Sequence, residues 1–340
     1  MIAPPPGYRD TAGPLRIVSI GGGTGLSTLL HGLKAYARQG LVDICAIVTV
    51  TDDGGSSGRL RRDFDILPPG DIRNCMVALS EDEALLSQLF QYRFSSGRGL
   101  KGHSFGNLFL TALTHVTGDF PRAVKVSSEV LAIFGRIYPS TSENVGLRAI
   151  MTDGSLVEGE TRISRSRKRI QRLELIPCKV RPLRDALEAI AAADLITMGP
   201  GSLYTSVIPN LLVDGMGAAI RRSKAAKAYF TNLMWQPWET MNFSASEHIR
   251  AIHDHGGKGT VQYAILNTTP LTGSQRRLYA AEKVFPVEPD TPRIVELGVE
   301  VVGRPLLAKS QKVRHDSMAI ARIAVELAGE SRVRRSRSSR

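Results

Sequence analysis

Cysteine is scarce in this chain: three among 340 residues, Cys45, Cys75 and Cys178, widely separated and odd in number. That argues against a disulfide framework and a cysteine-based zinc site, and it fits a reducing compartment, so a cytoplasmic location is expected. Aromatic residues make up 6% and nowhere interleave with the basic clusters, which argues against a dedicated nucleic-acid-binding surface. No run of about 18 apolar residues occurs, so no membrane span is expected. The first residues lack the basic-then-apolar order of a secretory leader. No lysine lies between Gly21 and Lys34, which removes a Walker A loop. No fixed-period repeat is present.

What remains is an ordinary globular composition, 42% apolar and 22% charged, able to bury a substantial core. The formal charge of +12 is concentrated in two places. One is Arg162, Arg165, Arg167, Lys168, Arg169 and Arg172; the other is a Ser/Arg tail with Arg332, Arg334, Arg335, Arg337 and Arg340. A solvated basic strand face and a disordered tail account for both without specific nucleic-acid binding. The expected organisation is a flexible Pro/Gly-rich extension over residues 1–14, one α/β nucleotide-binding domain over 15–330, and a basic disordered tail over 331–340. Short alternating runs with a turn at Asp153-Gly154 predict a β-rich insertion over 136–182.

Residues 16–25 read as an apolar strand running into Gly21-Gly22-Gly23-Thr24-Gly25, followed by a helical pattern with Leu26, Leu29, Leu30 and Leu33 on one face. Glycines let a ligand approach the backbone, and the amides opening the next helix favour an anion, so a phosphate site is expected here. A dinucleotide fingerprint fails, because the sixth place of its frame is Leu26. NAD is therefore weakly supported. A second strand, ending near Val50, leads to Asp52 and Asp53. Paired acids past a strand's carboxyl end could accept from ribose hydroxyls, hold magnesium or act as a base. Asp71, after two prolines, is placed to cap a helix running to Leu79. A buried strand over 194–198 ends in a further glycine turn, Gly199-Pro200-Gly201-Ser202-Leu203-Tyr204-Thr205. Two such turns on one sheet edge could grip opposite ends of a diphosphate ligand, with hydroxyls from Ser202, Tyr204 and Thr205 beside it. The fold class expected is α/β: a doubly wound, mostly parallel, Rossmann-like sheet carrying the β-rich insertion. A terminal helix over 315–329, capped near Asp316, closes it.

Six motifs in order then complete a pattern: Gly-Gly-Gly-Thr-Gly (21–25), Asp-Asp-Gly-Gly-Ser-Ser-Gly (52–58), Leu-Pro-Pro-Gly-Asp-Ile-Arg-Asn (67–74), Phe-Gln-Tyr-Arg-Phe (90–94), Gly-His-Ser-Phe-Gly-Asn (102–107) and the second glycine turn (199–205). From about residue 16 to residue 316 the chain resembles the bacterial gluconeogenesis factor family, in the superfamily of the phospholactate transferases. The resemblance implies a cytoplasmic protein that binds UDP-sugars, notably UDP-N-acetylglucosamine, and links carbon supply to peptidoglycan precursor synthesis and cell shape. By the same resemblance Gly22, Gly23, Thr24 and Gly25 meet the phosphates. Asp71, Arg73, Asn74, His103 and Asn107 line the cleft, while Gly201, Ser202, Tyr204 and Thr205 hold its other side, with Asn210 behind. Asp52 and Asp53 match the acidic pair that in transferase relatives lies by the acceptor or a magnesium ion. A homo-oligomer and a partner enzyme of amino-sugar synthesis are expected, and a magnesium-dependent phosphosugar or nucleotidyl transferase is the alternative. One segment departs from the family pattern: Met234-Trp235-Gln236-Pro237-Trp238-Glu239-Thr240 holds both tryptophans of the chain.

Overall fold

The computed structural model describes residues 13–81 and 84–338. Seven parallel strands form the main sheet in the order β10-β9-β8-β7-β1-β2-β3. They are β1 (Leu15–Gly21), β2 (Val42–Val48), β3 (Arg136–Pro139), β7 (Leu195–Met198), β8 (Ala226–Phe230), β9 (Tyr263–Asn267) and β10 (Glu300–Arg304). The central strands β1, β2, β7 and β8 are apolar almost throughout and buried on both faces. That is the signature of a parallel sheet covered by helices. Between β3 and β7, three antiparallel strands make a separate small sheet in the order β5-β4-β6: β4 (Gly146–Met151), β5 (Leu156–Glu158) and β6 (Ile170–Ile176). Residues 136–139 thus belong to the main sheet, and the separate β layer occupies 146–176.

From β1 the chain winds outward through α1 (Gly23–Ala37) to β2, then through α2 (Gly55–Phe64), α3 (Gly70–Leu79), α4 (Ala84–Gln91), α5 (Phe105–Thr117) and α6 (Phe120–Val130) to β3. Within the small sheet lies α7 (Glu160–Arg165). From β7 it winds the other way, through α8 (Arg184–Ala192) beforehand and then a π-helical turn (Leu203–Val207), α9 (Ile208–Leu211) and α10 (Met216–Arg222). The rest is α11 (Ala245–Gly256), α12 (Gly273–Ala281), α13 (Thr291–Glu296) and α14 (Ser317–Ser338). Right-handed crossovers running in opposite directions place α1 and α10 on opposite faces of the sheet. α1 packs with α3 and α14, and α10 with α8 and α11. The winding reverses between β1 and β7, which pair directly from Ile17↔Leu195 to Ile20↔Met198. A crevice opens outside the carboxyl ends of two strands at such a switch point.

Two expectations are corrected. The basic tail is helical through Ser338, since α14 continues past Gly329; Arg332 and Arg335 explain this, because both reach the buried carboxylate of Asp194. Asp71 does not cap its own helix, whose N-cap is Pro69; its carboxylate instead accepts the Gly23 N–H. The N-terminal extension falls outside the described residues up to residue 12. Among the described residues no single helix is long and apolar enough to cross a membrane.

Candidate functional site

Both glycine turns follow the two strands at the switch point, so they lie side by side. Gly22 is extended and Gly23 takes φ 61°, a left-handed conformation that suits glycine. The N-cap Gly22 has no side chain to cap the first turn of α1; Asp71 takes the Gly23 N–H, and the other first-turn amides keep the capacity to bind an anion. The turns touch through backbone. A Cβ on Gly25 would lie 2.3 Å from the Pro200 carbonyl oxygen, and one on Gly22 would lie 2.5 Å from Asp71 Oδ2. Gly199 N–H also donates to the Ile20 carbonyl at 3.1 Å. Together the turns floor a cleft of about 450 Å³. Gly22, Gly23, Thr24 and Gly25 form one side and Pro200, Gly201 and Ser202 the other. The segment after β8 (Asn232 to Gln236) and Val313, Arg314 and His315 complete the walls.

The second turn is built differently from the first. Its amides are already used: Tyr204 N–H donates to Glu239 Oε1 at 2.7 Å, Thr205 N–H to the same oxygen at 3.3 Å, and Leu203 N–H to Gln236 Oε1 at 3.3 Å. Gln236 Nε2 donates to Ser202 Oγ at 2.5 Å. Glu239 is buried, and burial raises its pKa while these amides pull it down. The second turn is thus rigidified from behind, and the open amides belong to α1.

A model of the family described as 2-phospho-L-lactate transferase CofD matches residues 17–307. The gluconeogenesis factor of Halalkalibacterium halodurans is 47% identical over 311 residues, covering 91% of this chain and 95% of that one. The gluconeogenesis factor of Bacillus subtilis is 44% identical over 316 residues, covering 93% and 98%. A crystal structure of a Bacillus halodurans protein has a TM-score of 0.89 at 46% identity, covering 92% of this chain and 100% of that chain. The chain belongs to the gluconeogenesis factor family, within the CofD-like superfamily.

Within this family member the residues named from sequence fall into three groups. Gly22, Gly23, Thr24, Gly25, Gly201 and Ser202 line the cleft. Tyr204, Thr205 and Asn210 are buried behind it. The Tyr204 ring sits between Phe243 and His255, at 6.3 and 6.1 Å, so its hydroxyl does not hold the cleft's wall. Asn210 Nδ2 donates to the carbonyls of Ser206 (2.7 Å) and Gly21 (3.4 Å), bracing the first turn.

The third group forms a network on the N-terminal ends of α2, α3 and α5. His103 Nδ1 pairs with Ser56 Oγ at 3.0 Å, and Asn107 Nδ2 donates to Ser56 Oγ at 3.2 Å. Asp52 accepts the Gly54 N–H at 2.8 Å and a hydrogen bond from Ser57. Arg73 donates to Asn74 Oδ1 at 2.6 Å. Asp71 joins this network to the cleft through Gly23. Burial, and then the charge of Asp52, push its carboxyl up to about 7, against the Gly23 amide and Arg73. Glu160 on α7 is also raised to about 7, by burial and then by Asp52 and Asp53. Asp53 faces elsewhere: it accepts both the N–H and the hydroxyl of Thr161, at 2.8 and 2.6 Å. Asp52 and Asp53 therefore turn to different partners, and among the described residues no cluster of three or more His, Cys, Asp or Glu is arranged for a metal ion.

Reasoning from sequence omitted Trp235, Gln236, Glu239, Val313, Arg314 and His315 from the site. The first three lie in the segment singled out for its tryptophans, so a signal existed. The last three are more than a hundred residues from either glycine turn, and no local pattern ties them to it. Trp235 packs edge-on against Phe285 at 5.2 Å. Trp238 carries the Arg167 guanidinium 5.2 Å over its ring, joining the loop before β6 to the segment beside the cleft.

Proposed function

We propose that this chain binds a UDP-sugar, UDP-N-acetylglucosamine first among them, and regulates a partner enzyme of amino-sugar synthesis rather than turning the ligand over. In the cell that activity would tie carbon supply to peptidoglycan precursor synthesis and cell shape, from the cytoplasm and in a homo-oligomer. One observation carries the reading: the N-terminus of α1, with no N-cap side chain at Gly22, opens into a cleft that both glycine turns floor at the switch point. Backbone amides and a helix dipole suit a diphosphate, and the relatives' name, gluconeogenesis factor, supports the link to carbon supply. Calorimetry against UDP-N-acetylglucosamine, UDP-glucose, GDP and NAD tests it. UDP-sugars should bind and should raise the melting temperature, by about 2.7 kcal/mol of stabilisation at a hundredfold excess over Kd. Binding of NAD without UDP-sugars would overturn the proposal.

A transferase is the second reading, favoured by a group of acids that reaches the first glycine turn through Asp71: burial and neighbouring carboxylates push Asp71 and Glu160 up to about 7, and Asp52 faces both. Carboxyls poised near neutrality can exchange protons with a reacting group. Incubation with magnesium, UDP- and GDP-linked donors and candidate acceptors separates the two readings. Product that forms with the wild type and vanishes in Asp52→Asn would establish the enzyme.

A further inference from the structure

The amino ends of β8, β9 and β10 lie on the sheet edge remote from the cleft, about 17 Å away along β8. There the last turns of α14 cross them and border an open pocket of about 630 Å³. We infer that this pocket is a second anion site, taking a phosphate group, either free or as a small monoester.

Four cations line it: Lys224, Lys227, Arg334 and Arg335. Glu300 is the one acid among the described lining residues, and it is exposed. Lys227 is the centre of the argument. Its side chain is 4% exposed, and its Nζ donates to the Ser223 carbonyl at 2.7 Å. Capping the end of α10 in this way uses one of the three N–H groups of an ammonium. Burial alone lowers its pKa, with no neighbouring carboxylate contributing. A buried cation without a counter-ion is costly, so an anion at this point recovers what desolvation removes.

The remaining groups are compatible with an oxyanion. Ser331 Oγ accepts the Ala226 N–H at 3.1 Å, which leaves its own proton to donate. Arg334 is held in place by the Tyr263 hydroxyl at 2.6 Å and by Glu330 at 3.0 Å, and Arg335 by Asp194 and the Ala193 carbonyl. Both guanidiniums are therefore fixed at the rim. Lys224 is exposed at the mouth with no partner among the described residues. A fixed rim, an exposed cation and a buried cation make a graded path for a multivalent oxyanion into the pocket. The site is independent of whatever the cleft binds.

The exposed Lys224 offers a local readout, acylation of its amine followed by peptide mass spectrometry on the full chain. Inorganic phosphate should slow acylation of Lys224 about tenfold at saturation, as expected for charge-assisted contacts. Lys227→Met should abolish that protection while the protein still melts cooperatively. In calorimetry Lys224→Glu, a surface change that does not threaten folding, should weaken phosphate at this site about tenfold. Glycerol 3-phosphate is run in parallel: stronger protection than by phosphate assigns the pocket to a monoester, and equal protection to the free anion. Unprotected Lys224 in the wild type, or protection that survives Lys227→Met, would overturn the inference.

Discussion

Gly23 and Gly25 stand two residues apart in one turn, and substitution should damage them for different reasons. At Gly25 an added Cβ meets the backbone of the other turn, 2.3 Å from the Pro200 oxygen and 2.7 Å from the Gly201 Cα. Backbone cannot swing aside as a side-chain tip can. Gly25→Ala should therefore cost about 2–3 kcal/mol, read from the urea midpoint, and should abolish UDP-sugar binding. At Gly23 the nearest atom to an added Cβ is 3.9 Å away, and the penalty comes from φ 61°. Gly23→Ala should cost about 1–2 kcal/mol. Equal stability of the two variants would show that the turns do not abut.

Asp71 makes a residue-scale prediction about pH. Its carboxyl is raised to about 7 by burial and by Asp52, so the folded state holds this proton more tightly than the unfolded chain does. Its contribution to stability is complete below the unfolded value near 4 and is lost as pH rises through 7. Asp71→Asn should accordingly gain stability over the wild type at about pH 8 and not at about pH 4. The same group accepts the Gly23 amide that a phosphate would use. Affinity for UDP-N-acetylglucosamine should fall as pH rises from about 6 to about 8, and Asp71→Asn should flatten that dependence in calorimetry.

At the scale of elements, acids serve as braces for neighbouring turns. Asp53 holds the start of α7 through the N–H and hydroxyl of Thr161, and α7 carries Glu160 toward Asp52. Asp53→Asn should cost about 1–2 kcal/mol in urea denaturation. Glu239 does the same for the π-helical turn, and Glu239→Ala leaves two buried amides unpaired. A loss of about 2–3 kcal/mol by thermal melting is expected, together with weaker UDP-sugar binding as the second glycine turn loosens. Asp71, Asp53 and Glu239 share one lesson about legibility. Each was visible as an acid near a turn, yet the amide it serves lies on another element. Local spacing suggested that Asp71 capped its own helix, and packing assigned it to Gly23.

Across the whole molecule, the C-terminal helix locks the base of the sheet. Asp194 is 1% exposed and accepts from Arg332, Arg335 and the Arg16 N–H, the last at 2.8 Å. Removing residues 331–340 strands a buried carboxylate, a change that costs about 3–5 kcal/mol. The truncated protein should show a lower urea midpoint with a similar slope, and a tail that could be removed without loss would contradict the clamp. A Ser/Arg-rich stretch reads as disordered because its composition offers no apolar face. Here it stays helical because a carboxylate 138 residues earlier in the chain needs partners.

The sequence alone determined the α/β class, the two glycine turns and the family, because these rest on local pattern. Continuous apolar strands specify a buried parallel sheet, glycine clusters specify turns that backbone can approach, and six ordered motifs narrow the family. Tertiary structure alone decided which strands are neighbours, and so that both turns share one cleft at the junction of β1 and β7. It also decided that Tyr204 faces inward, that Asp53 serves α7, that Gln236 and His315 reach the cleft, and that the basic tail is helical through Ser338. Each of those depends on pairing between residues far apart in the chain, where the energy comes from burial and from satisfying amides and charges that no local segment can satisfy by itself.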